Sequence, residues 1–241
     1  MKPKRTLTLG DQHGALKAVK QVLERCKFNP KEDLLINLGD VVDGWGESSQ
    51  LVQFYIELID KCTFKPIFLK GNHDAYCQKW IQGGIPNMNW LMQGGKSTIE
   101  SYIDTGFIEE KSHLEFFNNM RDFYIDEENR GFVHAGFTSD KGLGFEEDSE
   151  TYYWDRSLWT LAYKELDSEN QIFKVHKEVF IGHTPTLNFE ETTPMKKSNI
   201  WNIDTGSAYT GCITILDVNT KEYWQSDVVM ELYPDDIGRN M

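Results

Sequence analysis

A short apolar, β-prone run followed at once by a turn rich in Gly, Asp, Asn and His recurs five times along the chain. The runs are Leu7-Thr8-Leu9, Leu34 to Leu38, Ile67-Phe68-Leu69, Gly131-Phe132-Val133 and Val179-Phe180-Ile181. Runs of this length and composition predict buried strands. Between the early runs the apolar spacing changes to that of helices. Leu16, Val19 and Leu23 share one face over Ala15 to Cys26, which Asn29-Pro30 ends, and Leu51, Phe54, Tyr55 and Leu58 share one over Ser48 to Lys61. A further helix is expected from Asn72. Strand, turn and helix in alternation is the βαβ rhythm.

The segment from Gly83 to Gly95 breaks that rhythm. Its paired glycines flank Trp90, a pattern that suits either a flap over a cleft or a loop pinned by the indole. Helices are expected near Ser97 to Thr105 and His113 to Met120, and residues 83–121 read as an insertion of flap and helices. The second half is richer in strands, with Phe123 to Ile125, Ile200 to Asp204, Gly211 to Leu216 and Glu222 to Gln225, and with a hairpin-type turn at Asn219. No internal repeat or composition break divides the chain, and 1–241 reads as one domain. Residues 233–241, polar and containing Pro234-Asp235-Asp236, are expected to lie loosely on the surface.

The five turns carry the chemistry. They read Gly10-Asp11-Gln12-His13-Gly14, Gly39-Asp40-Val41-Val42-Asp43, Gly71-Asn72-His73-Asp74, Val133-His134-Ala135-Gly136 and Gly182-His183-Thr184. Taken singly, each is ordinary: Asp caps helices, Gly-Asn makes turns, and a strand-end histidine can bond backbone. Taken together they supply a ligand set for two adjacent ions, since turns leaving the carboxyl ends of neighbouring strands meet at one sheet edge. Imidazole and carboxylate without thiolate suit manganese, iron or zinc. Asp40, central in the set, is the candidate bridge between two ions, an arrangement suited to phosphate-ester hydrolysis.

In these residues the chain resembles the calcineurin-like metallophosphoesterases, and within them the phosphoprotein phosphatase branch that includes bacterial enzymes and symmetrical dinucleoside tetraphosphatases. The resemblance covers residues 5 to about 216. It implies an α/β fold, a four-layer α-β-β-α sandwich of two mixed sheets flanked by helices with the metal site at one end. It also implies that Asp11, His13 and Asp40 hold one metal, that Asp40, Asn72, His134 and His183 hold the second, and that metal-bound hydroxide is the nucleophile. His73 matches the general acid and Asp43 the carboxylate that orients it.

Two departures stand out. Relatives carry an arginine directly after the residue matching Asp43, where this chain has Gly44 and Trp45, and many carry glutamate where this chain has Asp74. Lys70 also replaces an arginine usual in protein phosphatases, and ammonium and guanidinium are not equivalent phosphate clamps. The expected replacement is Arg156, in Tyr152 to Trp159, because relatives bring a substrate-facing arginine from this region and none of the other arginines lies beside a motif. Its alternative is a solvent-facing partner of Asp155 on a helix. Tyr209, after the Ile203-Asp204 strand, reads as a leaving-group contact or as core.

Composition narrows the partners. A formal charge of −13 over 241 residues, without a basic stripe, disfavours extended nucleic-acid binding, so none is expected, and a phosphorylated protein or a small phosphorylated molecule is the expected substrate. No run of about 20 apolar residues is present, and the positive start lacks an apolar signal segment, so no membrane partner and a cytoplasmic location are expected. Four cysteines without Cys-x-x-Cys spacing read as reduced thiols, Cys77 as a buried apolar group rather than a redox switch. Oligomeric state leaves no trace. Three activities follow: hydrolysis of a phosphoprotein monoester, hydrolysis of a dinucleoside polyphosphate with Trp45, Trp90 or Tyr209 stacking a base, and a non-catalytic scaffold. The complete ligand set argues against the last.

Overall fold

The computed structural model describes residues 2–164 and 171–240. Strand and helix alternate through β1 (Arg5–Leu9), α1 (Leu16–Arg25), β2 (Asp33–Asn37), α2 (Ser48–Lys61), β3 (Ile67–Phe68) and α3 (Asn72–Ile81). The insertion then contributes α4 (Met88–Trp90), α5 (Lys96–Thr105) and α6 (Lys111–Asn118). The second half runs β4 (Phe123–Ile125), β5 (Arg130–Val133), α7 (Thr151–Trp154), α8 (Ser157–Tyr163), β6 (Glu178–Ile181), β7 (Met195–Lys197), β8 (Ile200–Asn202), β9 (Thr214–Asp217), β10 (Tyr223–Gln225) and α9 (Val229–Leu232).

Two mixed five-stranded sheets result, in the orders β10-β9-β1-β2-β3 and β4-β5-β6-β8-β7. The three motif strands β1, β2 and β3 are parallel neighbours, as are β5, β6 and β8. Their side chains alternate between layers as a period of two requires. Ile36, Phe132, Phe180 and Leu216 meet between the sheets. Leu7, Leu9, Leu35 and Ile215 face the helices of the first half, with Val19, Leu51, Tyr55 and Phe116. Val133, Val179 and Ile181 face α8 through Leu158 and Trp159. Three apolar seams between four layers give the α-β-β-α sandwich expected from the resemblance.

Some boundaries moved. Helix α6 begins two residues before the expected His113 and ends at Asn118, and β7 was not anticipated because Met195-Lys196-Lys197 is too polar to read as a strand. It survives as an edge strand paired antiparallel with β8, where lysine is well tolerated. Trp90 is only 1% exposed and packs on Tyr76 and Trp80, so within 83–95 the indole is pinned rather than poised over a cleft.

The larger correction concerns residues 233–240, which are docked rather than loose; Met241 lies outside the described residues. Tyr233 is buried and stacks on Trp45 with centroids 5.4 Å apart, while its hydroxyl accepts a 2.9 Å hydrogen bond from the Lys17 amide and donates to Glu47. The Asp236 carboxylate accepts from the Gly46 amide at 3.0 Å. Polar composition suggested a solvated end, but one aromatic stack and a few backbone bonds are enough to hold it.

Candidate metal centre

Because the motif strands run parallel within each sheet, their carboxyl ends open on one edge, and the turns leaving them face one another there. The turns are tightly constrained. His13, Asp40, Asp43 and His183 adopt φ of 52°, 51°, 74° and 67°, an uncommon region for residues with a side chain and one that concentrates at functional sites. A Cβ on Gly71 would fall 2.1 Å from the Asp40 carboxylate, and one on Gly182 would fall 2.1 Å from that of Asp11. Each of these glycines is therefore the space in which the acid contributed by another motif sits.

Asp40 lies at the centre of the arrangement. Its carboxylate is 3.8 Å from His13 Nε2 and 3.4 Å from His134 Nε2, and Asp11 is 3.9 Å from the same His13 nitrogen. Asn72 Oδ1 stands 3.3 Å from His134 Nε2. His13 Nδ1 donates to the Asp43 carbonyl at 2.9 Å and His134 Nδ1 to the Leu38 carbonyl at 2.8 Å, which leaves each Nε2 to face the carboxylates. His183 Nε2 is buried with no hydrogen-bond partner among the described residues. Two groups, His13 with Asp40 and His73, and Asp40 with His134 and His183, have ligand atoms close enough to share an ion. Oxygen and imidazole donors, an orphaned buried nitrogen and a shared carboxylate fit a pair of transition-metal ions.

The electrostatics point the same way. Burial, then repulsion from Asp204, pushes Asp11 well above the usual carboxylate range. Burial alone would raise Asp40 too, but the imidazoles of His134 and His73 hold it well below. His134 is lowered by burial, yet Asp40 draws it up to about 10. His13 and His183 are both pushed down by burial. Packed carboxylates and desolvated imidazoles of this kind favour added positive charge.

Beside these residues, on the same cleft, stands a second pair. His73 Nδ1 donates to Asp43 Oδ2 at 2.7 Å, and Asp43 is held in turn by Trp90 Nε1 at 2.5 Å and by Thr98 Oγ1 at 2.7 Å. The insertion thus fixes the carboxylate that orients His73. Asp74 has a scaffolding part: its oxygens accept the amides of Asp40, Val41 and Gly71 at 2.7, 2.9 and 2.9 Å, joining the second and third motifs, and burial pushes it up to about 7.

The cleft above the shelf has a volume of about 150 Å³. Arg156 lies on its wall, but not on a continuous helix. The chain breaks between α7 and α8, where the Asp155 carboxylate caps α8 by accepting the amides of Ser157 and Leu158 at 3.0 Å each. Arg156 instead donates to Thr184 Oγ1 at 3.0 Å and to the His183 carbonyl at 3.3 Å. Tyr209, half-buried, borders the same cleft, whereas Trp45, Trp90 and Cys77 are buried away from it.

Two wall residues escaped the sequence reading. Asp204 is buried beside Asp11 and pushed up to about 6 by burial. It follows β8 as the motif acids follow their strands, and that strand-end position was the available signal. Arg239 was set aside as remote from every motif, yet its Nη1 lies 3.1 Å from His73 Nε2. No local pattern marks it.

A family model described as calcineurin-like phosphoesterase matches residues 4–206, most of the chain and all five motifs. The chain belongs to the calcineurin-like phosphoesterase family. It is a metal-dependent phosphohydrolase. Serine/threonine-protein phosphatase 2 of Escherichia coli (strain K12) is 27% identical over 218 residues, 87% of this chain and 91% of that protein. The symmetrical bis(5'-nucleosyl)-tetraphosphatase of Pseudomonas fluorescens (strain SBW25) is 26% identical over 160 residues, 64% of this chain and about half, 52%, of that protein. In fold the chain is similar to a serine/threonine phosphatase from Saccharomyces cerevisiae, with a TM-score of 0.65 at 11% identity over 98% of this chain and 83% of that one. Among the described residues no helix is long and apolar enough to cross a membrane.

Proposed function

We propose that the protein hydrolyses phosphate monoesters on serine or threonine side chains of other proteins, in the cytoplasm. In this reading Asp11, His13 and Asp40 hold one ion and Asp40, Asn72, His134 and His183 the other, with manganese, iron or zinc suited to the donors. When bound, such a pair supplies an activated water and neutralises phosphoryl oxygens. His73 stands where it can protonate the departing side-chain oxygen through Nε2, and Asp43 fixes the ring from the opposite nitrogen. Arg156 offers its remaining N–H groups to the phosphoryl oxygens.

The observation that carries the choice of substrate is the shape of the cleft. At about 150 Å³ it takes a phosphoryl group while the rest of the substrate stays outside, well below the roughly 300–1,000 Å³ of pockets that enclose a small organic ligand. Of the three rings that could stack a base, Trp45 and Trp90 are buried. The similarity to the Escherichia coli phosphatase over nearly the full length of both chains supports the same reading.

A second reading, cleavage of a dinucleoside polyphosphate, draws on Tyr209 and on Trp154, which is 38% exposed at the rim and sits edge-on to His183. Phosphorus NMR separates the two. The manganese-loaded protein is given a phosphoserine peptide and a dinucleoside tetraphosphate together. Early inorganic phosphate with the dinucleotide intact is the expected result, and early nucleoside diphosphate would overturn it in favour of the second reading.

A further inference from the structure

We propose that Arg239, brought in by the docked segment 233–240, is the phosphate-gripping guanidinium that stands in for the arginine missing after Asp43. The proposal rests on the reading that a phosphoryl group enters the cleft.

Three observations converge on it. The first is volume. At Gly44, the position where relatives carry arginine, a Cβ would lie 3.2 Å from the His13 carbonyl oxygen and 3.3 Å from the His13 Cβ, and at a contact distance of 3.5 Å from Arg239 Cγ. The Arg239 side chain therefore passes directly beside the point from which an arginine at position 44 would leave, and no side chain at 44 covers it. Gly44 also has φ of +131°, a conformation in which an arginine would be strained. The turn is thus committed to receiving its cation from elsewhere.

The second is the latch. The residues directly after Gly44 are the ones that hold the segment: Trp45 stacks on Tyr233, Gly46 donates to Asp236, and Glu47 accepts from the Tyr233 hydroxyl. Gly238 runs so close to the Trp45 indole that a Cβ there would lie 2.7 Å from it. The Arg239 amide closes the path by donating to the Ala208 carbonyl at 3.1 Å. Trp45, which has no evident part in the chemistry, is the platform on which the replacement is built.

The third is aim. The guanidinium lies 5.3 Å over the Tyr209 ring and has Nη1 3.1 Å from His73 Nε2, on the cleft wall shared with His13 and Asp40. A planar guanidinium has five N–H donors, and those turned away from His73 form a fork suited to two oxygens of one phosphate. Arg156 approaches from the α7–α8 break, so the two arginines reach the cleft from separate elements.

A structural prop for His73 would have the same coordinates, and phosphate affinity distinguishes it from a phosphate grip. Calorimetric titration of inorganic phosphate into the manganese-loaded wild-type, Arg239→Lys and Arg239→Ala proteins gives the affinities, beside KM and kcat for an aryl phosphate and thermal melting of each. The expected result is a loss of phosphate affinity of about 10- to 100-fold in Arg239→Ala, with a parallel rise in KM, partial recovery in Arg239→Lys and unchanged melting. Unchanged affinity in Arg239→Ala would overturn the proposal, and so would a fall in kcat with affinity intact, which marks a prop. If the wild type neither binds phosphate nor releases it from any monoester, the phosphomonoester reading fails and the proposal with it. Phosphate binding by the wild type with no change in the variants removes Arg239 alone.

Discussion

The metal shelf and the rim above it are built on different terms. Every candidate ligand on the shelf follows a strand of one of two sheets within a few residues, is buried, and is held by backbone groups or by another motif: His13 by the Asp43 carbonyl, His134 by that of Leu38, and the Asp40 turn by Asp74. The rim arginines come from a helix break and from a terminal segment, and each is held by a few bonds. Coordination tolerates little positional error, so its ligands sit where the backbone is least free. Substrate grip tolerates different routes to the same point, and the proposed grip draws on a helix break and on the docked 233–240 segment.

If the contrast is sound, damage to the shelf should abolish the reaction and damage to the rim should only weaken it. Asp40→Asn should remove measurable turnover and lower metal content in emission spectrometry. A variant with wild-type rate and metal content would sink the central position given to Asp40. His73→Asn should retain its metals and lose turnover by about 10²- to 10³-fold on an alkyl phosphate, less on an aryl phosphate whose leaving oxygen needs little protonation. Equal losses on both substrates would remove His73 as the acid.

Rim variants should leave metal content alone. Tyr233→Ala, which takes away the ring stacked on Trp45, should raise KM about 10-fold while kcat and metal content hold. A loss of metal in this variant would show that latch and shelf are one unit. Trp90→Phe removes the indole donor from Asp43 and should cost about 5- to 10-fold in kcat, as expected for one neutral donor to a carboxylate, with KM little changed. A null effect in steady-state assays would leave Thr98 as the carboxylate's sufficient support.

How much could be read in the sequence follows the same division. The convergence of the candidate ligands was legible because each sits next to the apolar run that positions it, and parallel strands buried on both faces read as near-continuous apolar runs. Asp204 shares that grammar after β8 and was still passed over, because an acid without a neighbouring histidine looks like any turn residue. The break between α7 and α8 was hidden because apolar spacing continues across it: Leu158 and Trp159 follow Tyr152 and Tyr153 into the core. Arg239 could not be read at all. Its position depends on a stack between residues 45 and 233, and neither ring announces its partner.

The latch has a consequence in the order of synthesis. All the shelf ligands have been made by His183, but β9, which lies beside β1 in the first sheet, ends only at Asp217, and Tyr233 and Arg239 follow soon after. A nascent chain folding from its amino end holds the full set of candidate ligands before the sheet beneath them can close. Arg239 follows the last strands of that sheet, so the docked arginine reaches the cleft only once the sheet beneath the shelf can close.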